Sequence, residues 1–295
     1  MSDEKIGQLY QQETEFDILS VLIPHLRIKT FVDIGAEKGE TAKYLMQYGF
    51  DGYLFEPLPK HHPVLEELVR DTGSVFFPYA IDDHDHSGIL NIAVDENNQE
   101  MDYFHSLQRL EGDERVKHDK QLLVECFSLA SLVAQGKIAA QIGLLKTDTE
   151  GNDLNVIIGM GELVPDVLMC EFFTEGIYSG WEDAQPDRLI AAARDKGYEH
   201  YIAVKRRDGL ETCSLSPSSF IERQWGNLIF MKEHIYAASL DELLEIVQCC
   251  EQKLFEEVDG LRRVSTERLE VIDNRNALSN AKRYIINLLK RSRSH

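Results

Sequence analysis

The sequence predicts an α/β fold built on a mainly parallel sheet with helices on both faces. Three observations predict it. Short apolar runs alternate with helical stretches between about Thr30 and Lys232. One of those runs, Phe31-Val32-Asp33-Ile34, feeds through a glycine turn straight into a helical pattern. The last two runs are separated by polar, Gly- and Ser-containing sequence and read as a hairpin rather than another crossover. Strands alternating with helices form βαβ units, and these place their strands in parallel.

The elements follow in order. Leu9, Phe16, Leu19, Leu22 and Ile23 recur at helical spacing, and Pro24 ends the pattern, so residues 1–29 read as an N-terminal helical cap. The block over residues 30–234 contains strand candidates at Phe31–Ile34, Gly52–Glu56, Val75–Phe77, Ile89–Val94, Leu122–Cys126, Leu144–Asp148 and Val167–Glu171. Helical patterns fall at Glu40–Tyr48, Pro63–Asp71, Asn152–Met160 and Asp187–Lys196. Tyr198–Val204 and Asn227–Met231 read as a terminal antiparallel hairpin. Residues 235–295 form a helical extension. There Leu240, Leu243, Val247, Cys250, Leu254, Leu261 and Val264 follow a broken heptad spacing, so this stretch is one long helix, a helical hairpin or a coiled coil.

Composition narrows the class. Hydrophobic residues make up 43% and charged residues 28%, the balance of a globular chain with its own core. Fifty-one acidic against 31 basic residues give a formal charge of −20, which disfavours nucleic acid as the partner. The five cysteines are odd in number and include no CxxC pair, as expected in a reducing compartment. No secretory signal follows Met1-Ser2-Asp3-Glu4-Lys5, and the expected location is the cytoplasm.

The stretch from Phe31 to Thr41 carries the first candidate site. Gly35 permits a tight turn and close ligand approach, and the helix behind it offers free N–H groups. That arrangement suits the carboxylate of a methionyl group as well as a phosphate. Glu56, about 20 residues after Gly35, is placed to accept from ribose hydroxyls. A dinucleotide loop would read GxGxxG; here only Gly35 and Gly39 occur, with Glu37 where a pyrophosphate would be repelled. The competing reading gives both glycines to packing alone. Further on, Ile81 could pack on an adenine and Asp82 accept from its amino group, or the two could belong to a solvated acidic turn.

The second site is Leu144-Leu145-Lys146-Thr147-Asp148-Thr149-Glu150-Gly151. Alternation in an extended segment would put Asp148 and Glu150 on one face. They could take a proton from an acceptor hydroxyl, hold a cationic group, or bind a hard metal ion. Alternatively Glu150 and Asp153 cap the following helix. His105 is a third candidate base, though a surface role competes. Glu171 ends a strand and either reaches the crevice or makes a structural hydrogen bond, and Tyr178, Trp181 and Trp225 either stack on a sugar or pack the fold. His61-His62 and His84-x-His86 lack accompanying ligands at metal spacing, so no transition metal is assigned. The stretch 281–295 holds Lys282, Arg283, Lys290, Arg291 and Arg293 with no acid, and suits a partner helix or an anionic membrane surface.

These motifs together resemble the FkbM family of methyltransferases. The likeness rests on Val32-Asp33-Ile34-Gly35-Ala36 with Gly39, on Phe55-Glu56-Pro57, and on Lys146-Thr147-Asp148-Thr149-Glu150-Gly151 in order. It covers roughly Thr30 to Met231. It implies a Rossmann-like methyltransferase sheet and S-adenosylmethionine as cofactor; a divalent cation on the acids stays open and is not predicted. It also implies O-methylation of a sugar or other small hydroxyl acceptor. It would give Asp33, Gly35, Gly39 and Glu56 to the cofactor, and Asp148 and Glu150 to the active-site edge. Glu37, Thr147 and Thr149 depart from the family's usual residues. Two other functions compete: a non-catalytic scaffold that self-associates through the C-terminal helix, and an NAD-linked oxidoreductase, which the missing GxGxxG disfavours.

Overall fold

The structure is a computed structural model that describes residues 13–95, 97–101, 103–109, 116–177 and 182–271. The expectations for Leu9, Tyr178, Trp181 and the basic stretch 281–295 lie outside the described residues. The chain divides into two compact units, Met1–Gln248 and Cys249–His295.

The first unit holds two sheets. Strands β1 (Thr30–Ile34), β2 (Asp51–Phe55), β3 (Val75–Phe77), β7 (Leu144–Thr147), β8 (Val167–Phe173), β9 (His200–Arg207), β10 (Leu210–Leu215) and β11 (Trp225–Met231) form the larger one. Its spatial order is β10-β9-β11-β8-β7-β1-β2-β3. β3, β2, β1, β7 and β8 run parallel. β11 enters antiparallel between β8 and β9, and β10 pairs antiparallel with β9. The expected closing hairpin is therefore a three-stranded arrangement, because residues 210–215 of the polar connection form the edge strand β10.

The second sheet corrects the sequence reading. β4 (Ala80–Ile81), β5 (His86–Val94) and β6 (Lys117–Phe127) make a separate sheet ordered β4-β6-β5, with β5 and β6 antiparallel. Ile89–Val94 and Leu122–Cys126 are thus not members of the parallel series. The physical signal is alternation: β6 buries one face only, and Leu123 on the other is exposed. The central parallel strands β1, β7 and β8 are instead buried along nearly their whole length, as strands covered on both faces are.

Helices α2 (Glu40–Gln47), α3 (His62–Val69), α5 (Asp153–Gly159) and α6 (Pro186–Asp195) match the four predicted patterns within a residue or two, and α4 (Leu129–Ala134) is additional. The Ser128 hydroxyl caps α4 by accepting from Ser131 N. Val32, Ile34, Leu145, Leu168 and Cys170 of the sheet pack with Val156, Ile157, Leu189 and Ala193 of α5 and α6 in one continuous core.

Helix α1 (Glu13–Leu22) buries Ile18, Leu19 and Leu22. Its Glu15 is wholly buried and binds Arg206 of β9 through two hydrogen bonds of 2.6 and 2.7 Å. Glu15 also accepts from Asn227 Nδ2 of β11, and Arg206 pairs with Glu211 of β10. A buried charge pair holds only with its remaining polar atoms satisfied, and this network supplies them. Helix α7 (Glu233–Val271) starts inside the first unit, where Ile235, Ser239 and Leu243 are buried at i, i+4 spacing. Its continuation forms the described part of the second unit.

Candidate active site

The chain leaves β1 toward β2 on one side, and returns later to place β7 on the other side of β1. A crevice opens at such a switch point, beyond the carboxyl ends of the strands. Here it is a cleft of about 420 Å³.

One wall is the turn after β1. Gly35, Glu37 and Gly39 all have positive φ, at 69°, 47° and 75°. Gly35 N and Ala36 N both donate to Phe55 O. A Cβ on Gly35 would lie 1.9 Å from Asp148 O, so only glycine passes this close to the end of β7. Gly39 is the N-cap of α2, and a Cβ there would strike the Leu68 side chain at 2.4 Å. Gly35 thus lines the cleft and Gly39 serves packing.

Glu56 forms the next part of the wall. Its Oε2 accepts from Glu37 N at 3.0 Å and its Oε1 from Leu58 N at 2.8 Å. The carboxylate is thereby fixed in direction while lone pairs remain for a ligand. Burial pushes its pKa up to about 7, against the pull of those two N–H groups. Tyr79, Ala80 and Ile81 continue the lining.

The opposite wall is acidic. Ligand oxygens of Asp148, Glu150 and Glu171 all lie within 4.8 Å of one another. They do not converge by strand alternation, as the sequence suggested. β7 ends at Thr147, and Glu150 sits in a turn at φ 53°. Nor does Glu150 cap α5: its Oε1 accepts from Phe104 N at 3.1 Å, and the N-cap of α5 is Asn152. Asp153 lies in the first helical turn, where it accepts from Thr149 N, Thr149 Oγ1 and Glu171 N. Burial first, and then Asp148, raise Glu150 to about 8 and Asp153 to about 6. Glu171 is raised well above the ordinary range for the same reasons, with Glu150 and Asp153 adding to it.

A single buried cation faces this group among the cleft-lining residues at the end of β7. Lys146 Nζ lies 3.4 Å from Asp33 and 3.6 Å from Asp148, and donates to Gly35 O at 2.9 Å. Burial alone would lower its pKa, but Asp148, Asp33 and Asp153 more than reverse this and keep it charged. Lys146 is therefore the hub that joins the glycine turn to the acidic wall.

Among the residues singled out from sequence, Gly35, Glu56, Ile81, His105, Asp148 and Glu150 line the cleft. Asp33 lies behind it against Lys146, and Gly39 behind the turn. Asp82 is also outside: its Oδ1 accepts from Asp83 N and from Asn152 Nδ2. His105 has both ring nitrogens engaged, Nδ1 accepting from Ala93 N and Nε2 facing Met101 O at 2.8 Å. Burial and then Lys60 lower it to about 4, so it holds the loop in shape and makes a weak base. Sequence reasoning passed over Lys146, Arg206 and Asn227, which also line the cleft, and weighed down Glu171 and Trp225. Their signal is register. Asn227 pairs with Glu171, and Trp225 with both Phe173 and Arg206, which brings β8, β9 and β11 residues to one end of the cleft.

Comparison with known proteins gives the following. Residues 33–200 match the family described as Methyltransferase FkbM domain. No curated protein matches the sequence. Among solved structures, magnesium protoporphyrin IX methyltransferase from Synechocystis PCC 6803, with bound SAM, is 11% identical at a TM-score of 0.41, covering 78% of this chain and 82% of that one. Precorrin-6y C5,15-methyltransferase from Geobacter metallireducens GS-15 is 8% identical at a TM-score of 0.38, covering 74% and 88%.

Proposed function

The chain belongs to the FkbM methyltransferase family, and from that premise we propose that it moves a methyl group from S-adenosylmethionine to a hydroxyl of a sugar or other small acceptor. The observation that carries this reading is the convergence of Asp148, Glu150 and Glu171 beside the glycine turn and Glu56.

The cleft suits the donor by the chemistry of its groups. Glu56, aimed by two backbone N–H groups, fits a ribose diol. The turn at Gly35–Gly39 leaves room for the methionyl end, and Ile81 with Tyr79 offers apolar surface for a base. Glu37, within the turn, is paired with Lys38. The acidic wall suits a sulfonium, because clustered carboxylates are costly until a positive group joins them. When bound, S-adenosylmethionine supplies an electrophilic methyl group.

The chain's own residues then do the rest. Glu150 accepts the proton of the acceptor hydroxyl, which leaves a lone pair on oxygen free to react. Asp148 and Lys146 fix the field at that point. Phe173, Ile177, Arg206 and Trp225 bound the far end and position the acceptor, where alignment supplies most of the rate.

The test is a calorimetric titration of purified protein with S-adenosylmethionine, with NAD as control. Saturable binding is expected for the donor alone. Glu56→Ala should weaken it by about 10- to 100-fold, the loss of charge-assisted hydrogen bonds. Glu150→Gln should retain donor binding and lose turnover by about 100-fold or more. No binding by the folded protein would refute the enzyme reading. Donor binding without turnover on any hydroxyl acceptor would favour the scaffold.

A further inference from the structure

We propose that Asp82, His86 and Cys126 form a binding site for a single zinc-type transition-metal ion, beside the cleft and separate from it. The sequence alone did not assemble this set, because Cys126 stands 40 positions after His86. Strand pairing brings it in. Cys126 is directly opposite His86 in the β5–β6 ladder, and opposite Ala80 in the β4–β6 pair. Asp82 follows β4 by one residue. Ligand atoms of all three lie within 4.8 Å of one another.

Two further observations point to an ion. The first is the orientation of His86. Its Nδ1 lies 3.1 Å from His84 O, and a carbonyl only accepts, so Nδ1 carries the hydrogen. Nε2 is then the ring nitrogen turned toward Asp82 Oδ2, 3.5 Å away. At 3.5 Å the two atoms stand farther apart than in a good hydrogen bond, a separation that suits two donors sharing one ion. A backbone carbonyl on the far nitrogen is also how metal-bound histidines are held. The second observation is Gly88. A Cβ there would lie 2.6 Å from Cys126 Sγ and 3.3 Å from His86 Nε2. The missing side chain leaves space on the side where both donor atoms stand.

The donor set names the ion. One thiolate, one imidazole and one carboxylate combine the ligand types zinc accepts, and a water completes a tetrahedron. The charges balance: a dication meets a thiolate and a carboxylate, which leaves the largely buried site neutral. On binding, the Cys126 S–H bond breaks, its proton leaves to solvent, and the sulfur pair bonds the metal. Without an ion, burial and then Asp82 hold the thiol up at about 11, so it is protonated at neutral pH. The bound ion would fasten the end of β4 to the β5–β6 ladder. Asp82 also accepts from Asn152, a cleft-lining residue, so the clamp sits one hydrogen bond from the cleft.

The experiment uses full-length protein stripped with a chelator and titrated with cobalt(II), followed by displacement with zinc. We expect one equivalent bound, with a thiolate-to-cobalt charge-transfer band that zinc abolishes. Cys126→Ser should remove the band, and His86→Ala should weaken binding more than about tenfold. A wild-type titration with no saturable band overturns the proposal, and so does a band that persists in Cys126→Ser. If Cys126→Ser fails to fold, His86→Ala decides, since His86 is partly exposed; unchanged affinity there overturns it.

Discussion

Glu150 is a carboxylate held where its charge is expensive, and this sets how the protein should respond to pH. Glu56, Asp153 and Glu150 have folded-state values of about 7, 6 and 8, against ordinary values of 4.5, 3.8 and 4.5. The folded protein therefore binds more protons than the unfolded chain across this range, and its stability falls as pH rises. His105 acts oppositely: lowered to about 4 from 6.5, it adds stability as pH rises toward 6.5 and adds nothing above. His118 is lowered too and has the same sign. From about pH 6.5 to 8 the carboxylates thus dominate. The Tm of the ligand-free protein should fall across that window, and Glu150→Gln should make the slope shallower. A level or rising Tm would contradict the assignment. Turnover should run the other way, rising with pH through about 8 as Glu150 loses its proton. Lys146 answers to the same group. Lys146→Met strips the buried partner from Asp33, and should cost about 3–5 kcal/mol in denaturant unfolding; a loss below about 1 kcal/mol would show that Asp33 needs no cation.

The elements explain why some of the site could be read from sequence and some could not. Gly35 and Glu56 sit at strand ends of a βαβ unit, and chain spacing alone fixes their relation. Asp148 and Glu150 were legible as a pair because a strand ended at them, although a left-handed turn and not alternation brings them together. Asp33, Gly39 and Asp82 show the limit. Each lies one or more positions from a cleft residue, and a one-residue step along a strand or turn points a side chain elsewhere. Asn227 and Arg206 needed inter-strand register, which no local pattern encodes, whereas Glu171 was legible only as one of two roles at a strand end. The second sheet was misread because short apolar runs look alike whichever sheet they join. At this scale the α1 anchor is also testable. Glu15→Ala leaves Arg206 buried without its main partner, and should cost about 3–5 kcal/mol by chemical denaturation. It should also disturb the acceptor end of the cleft, where Arg206 and Asn227 are lining residues. A stability change within about 0.5 kcal/mol would show that the anchor is dispensable.

Over the whole molecule, cleft and extension belong to different parts of the chain. Every described lining residue of the cleft falls in the unit Met1–Gln248. Removal of residues 249–295, none of which is a described lining residue, should therefore leave S-adenosylmethionine affinity within about twofold. It should alter self-association if the extension mediates it; light scattering on both forms reads this directly. A collapse of donor affinity on truncation would show that the second unit supports the first. No described helix is long and apolar enough to cross a membrane. The formal charge of −20 leaves long-range attraction to favour cationic over anionic ligands, in keeping with a sulfonium donor.

The insertion of β11 between β8 and β9 bears on how the chain is made. Synthesis releases β9 before the strand that joins it to the sheet. Until Trp225–Met231 leaves the ribosome, the β9–β10 hairpin has no edge to join, and Glu15 waits for an arginine 191 positions downstream. Contacts of such long span form late. The beginning of the chain is thus among the last parts to lock, and a nascent polypeptide stalled before about residue 225 would carry an open sheet edge, a natural target for chaperones.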